Sequence, residues 1–228
     1  MGKISAIILS AGKGRRMNSD VSKQYIEVCG KPIIYYTLQS FENSNIDEII
    51  LVTSQNDIEY VKESIVEKYG ITKVKKIVAG GKERYASVIN GLAELDDGDK
   101  VLIHDGARPL IKTMQINKII DSVKIYSACI AAVPVKDTIK IVNTEGYVSS
   151  TPDRKYVWQI QTPQAFDVAL IKEAYRKMRE AGDESITDDA MVVERYTDTE
   201  VKLIETDYEN IKITTKEDLI FLRGMLNC

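Results

Sequence analysis

Ala6-Ile7-Ile8-Leu9-Ser10-Ala11-Gly12-Lys13-Gly14-Arg15-Arg16-Met17 is an apolar segment that runs straight into a glycine loop loaded with cations. That order suits a polyphosphate. The glycines let backbone N–H groups approach phosphate oxygens without a Cβ in the way, and Lys13, Arg15 and Arg16 put charge where the anion would sit. Two better-known loops are absent. The dinucleotide fingerprint needs a third glycine where Met17 stands, and the P-loop needs Gly-Lys-Ser/Thr, whereas Gly14 follows Lys13. Taken alone, the segment is equally compatible with a tight strand-to-helix turn flanked by solvated cations.

Outward from it, continuous apolar runs over 6–9, 48–53, 74–78, 100–103 and 129–133 read as strands buried on both faces of a parallel sheet. Helical spacing fills the gaps at 32–41, where Pro32 takes a first-turn position, and at 58–69, 85–95 and 114–126. Alternating strands and helices predict an α/β fold, a doubly wound, mostly parallel open sheet with right-handed crossovers. Ligands bind such sheets beyond the carboxyl ends of the strands. The loop at 10–16, the pair Gly80-Gly81 and the run 105–108 all fall on that edge.

Residues 136–161 break the rhythm. Segments 138–142 and 147–148 alternate about Asn143-Thr144-Glu145-Gly146 and read as a protruding β-hairpin with no helix to cover it. A two-stranded ribbon is marginal alone in water, so this arm is expected to pack on a second copy of the chain; folding back over its own domain is the alternative. Helices near 168–181 and 188–195, a strand at 200–204 and a closing helix at 216–226 complete one domain spanning 1–228.

Composition sets limits on partners. The 228 residues carry 31 basic and 34 acidic side chains, a net charge of −3, so no global basic surface advertises nucleic acid or an acidic membrane. The longest apolar runs are strand-length, short of the roughly 20 residues a membrane helix needs. Cys29, Cys129 and Cys228 are few, odd in number and far apart, which argues against a disulfide framework and a CxxC metal site. Gly2-Lys3-Ile4-Ser5 enters the first strand with no export signal. A soluble protein of the reduced cytoplasm is expected.

Further segments give the first loop a context. Lys23-Gln24-Tyr25, Gly80-Gly81-Lys82-Glu83-Arg84, Ile103-His104-Asp105-Gly106-Ala107-Arg108-Pro109, Val133-Pro134-Val135-Lys136-Asp137-Thr138-Ile139-Lys140, Gln161-Thr162-Pro163-Gln164 and Asn210-Ile211-Lys212-Ile213-Thr214 follow in order. Together they resemble the 2-C-methyl-D-erythritol 4-phosphate cytidylyltransferases of non-mevalonate isoprenoid synthesis, over almost the whole chain. The resemblance implies a Rossmann-like nucleotidyltransferase fold and in-line attack of the methylerythritol phosphate on the α-phosphorus of CTP, with Mg²⁺ present. It further implies a homodimer with shared active sites.

Carried onto matching positions, the resemblance makes Arg16 and Lys23 the cations that grip the triphosphate and stabilise the pentacoordinate α-phosphorus. Lys212 and Arg154 would hold the substrate phosphate in line, Arg154 serving the partner's site. Asp105 would face Mg²⁺ and the substrate, as a hard oxygen ligand suits that ion. Arg108 would help close the site, and Thr138, Thr162 and Thr187 would contact the sugar phosphate. The base pocket would come from Ser10, Ala11, Gly12, Gly81, Lys82 and Ser87, largely through main-chain groups, with Gly106 beside Asp105. The family often has an acidic residue where Lys82 stands and alanine where Ser10 stands.

The single histidine limits other chemistries. A His-rich zinc site is impossible, and a serine or cysteine nucleophile would have His104 alone as its base. At the end of an apolar strand His104 reads as structural. Transfer at phosphorus needs no such apparatus, since positioned cations and a divalent metal stabilise its transition state. Two other functions fit the fold. Ribitol-5-phosphate cytidylyltransferases tend toward Gly-Gly-Thr-Gly and Asp-Ser-Val-Arg-Pro, which Ser10-Ala11-Gly12-Lys13-Gly14 and Asp105-Gly106-Ala107-Arg108-Pro109 match less well. A non-catalytic nucleotide sensor has no use for cations at both ends of an in-line displacement.

Overall fold

Strand β1 (Ile4–Ser10) is the axis of the computed structural model, which describes residues 2–12 and 22–228. Its Ala6, Ile7 and Ile8 have no exposed surface, as a strand flanked by parallel neighbours and covered on both faces requires. Along the chain follow β2 (Glu27–Val28), β3 (Lys31–Pro32), α1 (Ile33–Glu42), β4 (Glu48–Thr53), α2 (Ile58–Val61, continued as a π-helical stretch over Lys62–Glu67), β5 (Val74–Ala79) and α3 (Arg84–Leu92). Next come β6 (Lys100–Asp105), α4 (Thr113–Val123), β7 (Ala128–Pro134), β8 (Ile141–Val142), β9 (Val148–Ser150) and β10 (Trp158–Asp167). The chain ends with α5 (Val168–Glu180), α6 (Asp189–Tyr196), β11 (Lys202–Glu205) and α7 (Lys216–Leu226).

Seven strands form one sheet in the order β11-β7-β10-β6-β1-β4-β5. All pairings are parallel except those of β10, which runs antiparallel to both β6 and β7. The expected doubly wound α/β sheet is present. Successive side chains of a strand point to opposite faces, and the core divides accordingly. Ile8 packs with Leu38, Phe41, Leu51 and Ile116 on one face, and Ile7 with Val88, Phe166 and Ile171 on the other. Parallel register places the carboxyl ends of β1, β4 and β6 side by side, pairing Leu9 with both Val52 and Asp105.

Two elements differ from expectation. β10 occupies a central position although Pro163 lies within it, and proline ordinarily excludes a central strand because it cannot donate to the ladder. The register shift between Ile160 and Gln164 resolves this, since the proline sits in an irregularity where pairing is interrupted. The short hairpin of β2 and β3 was also not evident. Its turn places Cys29 at φ 53° and Gly30 at φ 74°, and a cysteine in that region is not a turn signal.

The 136–161 segment forms the expected antiparallel ribbon of β8 and β9. Asn143 closes the turn by accepting from the N–H groups of Glu145 and Tyr147, and Gly146 supplies φ 86°. Ile141, Val142, Tyr147 and Val148 remain at least half exposed. Among the described residues no helix is long and apolar enough to cross a membrane.

The cysteine reading is corrected. Cys29 and Cys228 are joined as a disulfide, with Cα atoms 5.8 Å apart although they stand 199 positions apart in sequence. Sequence distance is a poor guide here because an apolar cluster of Val28, Ile33, Ile213 and Leu222 seats α7 on the β2–β3 hairpin. Cys129 is buried and free, and burial pushes its thiol up to about 12. In urea unfolding under oxidising conditions, Cys228→Ser is expected to be ~2–4 kcal/mol less stable than the parent, and dithiothreitol to erase the difference.

Candidate active site

Loops at the carboxyl ends of β1, β5 and β6, together with the 206–215 segment, enclose a cleft of about 660 Å³. Its glycine side is built from Ser10, Ala11, Gly12 and Gly81, with Ser87 behind them. The Ser87 hydroxyl accepts from the Gly81 N–H at 3.0 Å and donates to the Glu83 carbonyl at 3.3 Å, fixing the turn into α3. Ser10 is buried, its hydroxyl faces Tyr25 at 3.4 Å, and its carbonyl accepts from the Gln24 amide. Cations Lys23, Lys82, Arg84 and Lys212 line the cleft against two carboxylates, Glu83 and Asp105, a balance that favours an anionic ligand.

Lys23 and Lys212 come from distant parts of the chain, and hydrogen bonds bring them together. Asn210 has no exposed surface; its amide donates to Gln161 Oε1 at 2.9 Å and to the Thr162 carbonyl at 2.8 Å. Ile213 N–H donates to the Ala107 carbonyl at 2.8 Å, and Lys23 Nζ donates to the Ile213 carbonyl at 2.7 Å. These bonds pin the segment carrying Lys212 across the end of β6. Lys212 Nζ then lies 2.9 Å from Asp105 Oδ2.

Asp105 faces two further cations, Arg84 Nε at 3.5 Å from Oδ1 and Arg108 Nε at 3.7 Å from Oδ2. Burial works against its charge, but Arg84, then Lys212 and Arg108, outweigh it and hold the carboxyl well below the usual carboxylate range. Burial lowers the Arg84 guanidinium, yet Asp189 and Asp105 raise it further, so it stays charged. Among the described residues no group of three or more His, Cys, Asp or Glu converges. Asp105 would give one carboxylate of the Mg²⁺ pattern in which one or two carboxylates are completed by substrate phosphates and water.

Beneath Asp105 sits His104, fully buried. Burial pushes its imidazole down to about 3, so it is neutral, and it holds a relay. Thr162 Oγ1 accepts from the Asp105 N–H at 3.1 Å and lies 2.9 Å from His104 Nδ1. His104 Nε2 lies 3.5 Å from the Arg108 carbonyl, which can only accept, so with the imidazole proton on Nε2 the Nδ1 accepts from the Thr162 hydroxyl.

The sequence-derived residues are distributed unevenly. Ser10, Ala11, Gly12, Lys23, Gly81, Lys82, Ser87, Asp105 and Lys212 all line the cleft; Arg16 lies outside the described residues. Gly106 does not line it, being committed by its N–H to Leu9 and by its carbonyl to Thr37, with Ala107 in its place. A Cβ at Gly106 would come 2.9 Å from the Leu9 carbonyl, so glycine serves close packing. Thr162 is likewise turned inward, only 4% exposed. Arg108 supports from behind, donating through Nη1 to the Asn210 carbonyl at 2.7 Å. Thr187 lines an adjoining pocket with Lys82, Glu83 and Arg84. Thr138 and Arg154 lie in the arm segment, where Arg154 Nη1 donates to the Lys136 carbonyl at 2.7 Å. Sequence reasoning gave no role to Arg84 or its partner Asp189, although Arg84 ends the quoted Gly80–Arg84 motif.

Neutral His104 has a pH signature. Its folded pKa lies below the ~6.5 of an unfolded histidine, so the native chain binds fewer protons between about 3 and 6.5. The stability it contributes is complete above pH ~6.5 and is lost as pH falls toward 3. Chemical denaturation at successive pH values should show the parent losing stability between pH ~6.5 and ~5. His104→Asn should lose markedly less there, because asparagine does not titrate.

With this geometry in place, comparison with known proteins is specific. The sequence profile of 2-C-methyl-D-erythritol 4-phosphate cytidylyltransferase (IspD) matches residues 4–227. A protein of that name from Lachnoclostridium phytofermentans is 51% identical over 226 residues, spanning 99% of this chain and 97% of its own. Another from Lachnospira eligens is 50% identical over 226 residues, spanning 96% of this chain and 99% of its own. The crystal structure of 4-diphosphocytidyl-2C-methyl-D-erythritol synthase from Anaerococcus prevotii matches with a TM-score of 0.88 at 41% identity, over 100% of this chain and 97% of that one. Profile, full-length identity and fold agree, and the chain belongs to the 2-C-methyl-D-erythritol 4-phosphate cytidylyltransferase family.

Proposed function

We propose that this protein joins CTP and 2-C-methyl-D-erythritol 4-phosphate to give 4-diphosphocytidyl-2-C-methyl-D-erythritol and pyrophosphate in the cleft described above. The observation that carries the reading is the ion pair of Lys212 and Asp105 at 2.9 Å in the same glycine-lined cleft as Lys23. A phosphate oxygen of the acceptor attacks the α-phosphorus in line, and pyrophosphate leaves. With a second pKa near ~6, a phosphate monoester is largely dianionic at neutral pH, so no general base is needed. Catalysis reduces to bringing two anions together and neutralising the charge that develops.

The residues divide that work. Ser10, Ala11, Gly12, Gly81, Lys82 and Ser87 hold the nucleoside, and Lys23, with Arg16, neutralises the triphosphate. Lys212 orients the attacking phosphate, backed by Asp105 and Arg108. Asp105 would hold Mg²⁺, which supplies charge neutralisation at the phosphates when bound. The exposed apolar ribbon of β8 and β9 supports a homodimer in which Thr138 and Arg154 of one protomer complete the site of the other, with Thr187 on the acceptor side. No nucleic acid or membrane partner enters this reading, and a cytoplasmic location suits its CTP substrate. Asp105-Gly106-Ala107-Arg108-Pro109, rather than Asp-Ser-Val-Arg-Pro, supports methylerythritol phosphate over ribitol 5-phosphate as the acceptor.

Pyrophosphate release from purified protein, CTP and Mg²⁺ is expected with methylerythritol phosphate and not with ribitol 5-phosphate, and EDTA should abolish it. Lys23→Ala and Lys212→Ala should each lower kcat by about 10²–10³-fold, the range for loss of one preorganised charge-stabilising group. Mixing Lys23→Ala with Arg154→Ala chains should recover activity that neither has alone. A fully active monomer in sedimentation, or no recovery on mixing, would remove the shared-site arrangement.

A further inference from the structure

One arginine of the cleft is held too firmly to grip a phosphate. Arg84 Nη1 and Nη2 donate to the two oxygens of Asp189 at 3.0 and 2.7 Å, a bidentate fork. Asp189 itself has no exposed surface. Its carboxylate also accepts from the Tyr175 hydroxyl at 2.5 Å, and its backbone N–H donates to Gln164 Oε1 at 3.0 Å. The far edge of the guanidinium is thereby fixed to α5, α6 and β10, and its near edge presents Nε to Asp105 Oδ1 at 3.5 Å.

That arrangement divides the oxygens of Asp105 between neighbours. Oδ1 faces Arg84, while Oδ2 faces Lys212 and Arg108. With cations on both oxygens the carboxylate has one favoured rotation, and Lys212 Nζ takes its place from it. Without Arg84, the carboxylate is drawn toward Lys212 and Arg108 alone, and the Lys212 ammonium moves with it. Arg84 also stands at the seam between the cleft and the adjoining pocket that contains Thr187.

We propose that Arg84 is a positioning residue for the transfer, a strut from Asp189 that sets the Asp105 carboxylate and, through it, the Lys212 ammonium on the acceptor side. The inference rests on the roles given above to Asp105 and Lys212. It differs from a purely structural ion pair in what survives when the pair is replaced.

Replacing a buried ion pair by apolar side chains of similar volume is often neutral for stability, so fold and function can be separated. The Arg84→Met/Asp189→Leu double variant is expected to melt near the parent temperature. Calorimetry with Mg·CTP alone should give a dissociation constant within about threefold of the parent, while kcat/KM for methylerythritol phosphate falls about 100-fold, as a displacement of ~1 Å can produce. A double variant that turns over within about threefold of the parent would make the pair structural only and overturn the inference. An equal loss in CTP affinity would overturn it as well, by making Arg84 a nucleotide-binding group. Should the double variant fail to fold, Arg84→Lys keeps the charge but not the fork. It is expected to lose about tenfold or more in kcat/KM for the acceptor with CTP binding intact, and an unchanged kcat/KM would refute the strut. Parent protein inactive with CTP and methylerythritol phosphate would sink the underlying reading instead.

Discussion

The carboxylate of Asp105, a residue 7% exposed at the end of β6 and faced by Arg84, Arg108 and Lys212, is the constraint around which the cleft is organised. Removing a charge from water costs several kcal/mol, and attraction to a neighbour repays it only when the geometry is good. Asp105 meets that condition with cations drawn from three separate places: the start of α3, the turn after β6 and the 206–215 segment. Each of those segments is located by the same carboxylate. Its worth is therefore in placement more than in net stability, because a buried ion pair contributes little over an apolar substitute but is costly to break on one side.

The rest of the fold serves that point. Parallel register delivers the ends of β1, β4 and β6 to one edge, so a loop after any of them reaches the same space. The antiparallel β10 then contributes from its middle instead of its end. Its Thr162 holds the Asp105 N–H and the His104 ring, while Gln161 and the Thr162 carbonyl hold Asn210. An irregular, proline-bearing stretch inside a central strand would otherwise leave backbone and side-chain polar groups unpaired in the sheet. Here they tie the Lys212 segment to Asp105, and a neutral histidine pairs with the Thr162 hydroxyl, while Asn210 Oδ1 and Arg108 Nε stay buried without a hydrogen-bond partner among the described residues.

How much of this was legible in the sequence depended on the range of the interaction. Strands such as 48–53 and the helices between them follow from short-range apolar spacing, and β4 is observed over those very residues. That the loops at 10–16, 80–81 and 105–108 share one edge was legible because glycine turns after buried strands have a physical reason to be there, whereas which of their side chains face a ligand rested on the family resemblance and left Arg84 without a role. β10 was hidden because Pro163 is read locally as a breaker, whereas its tolerance is set by a register shift between partners distant in the chain. The pairing of Cys29 with Cys228 and the fork of Arg84 on Asp189 were hidden for the same reason: nothing in either segment encodes its partner. Thr162 shows the converse failure. The resemblance made it a contact of the sugar phosphate, but the hydroxyl faces inward, where it meets the Asp105 N–H and the His104 ring instead of lining the cleft.

That distinction bears on how a cleft rich in cations avoids collapsing into pairs with its own carboxylates. Lys212 has a nearby acceptor in Asp105, and under the proposed function a phosphate would compete for it. The competition is set by desolvation. Asp105 lies at the floor, with its backbone and both oxygens engaged, so it cannot follow the ammonium outward, while the Lys212 side chain is still 39% exposed on the cleft side. A lysine ammonium is a compact charge with three donors on a flexible stem, so it can keep one contact with Asp105 and turn others toward an incoming phosphate. Arg84 has surrendered that freedom to Asp189. The same pair of charges, Lys212 and Arg84, thus acts on one carboxylate in two ways, one adaptable and one fixed, and the choice of lysine for the first and arginine for the second follows from the shapes of their head groups.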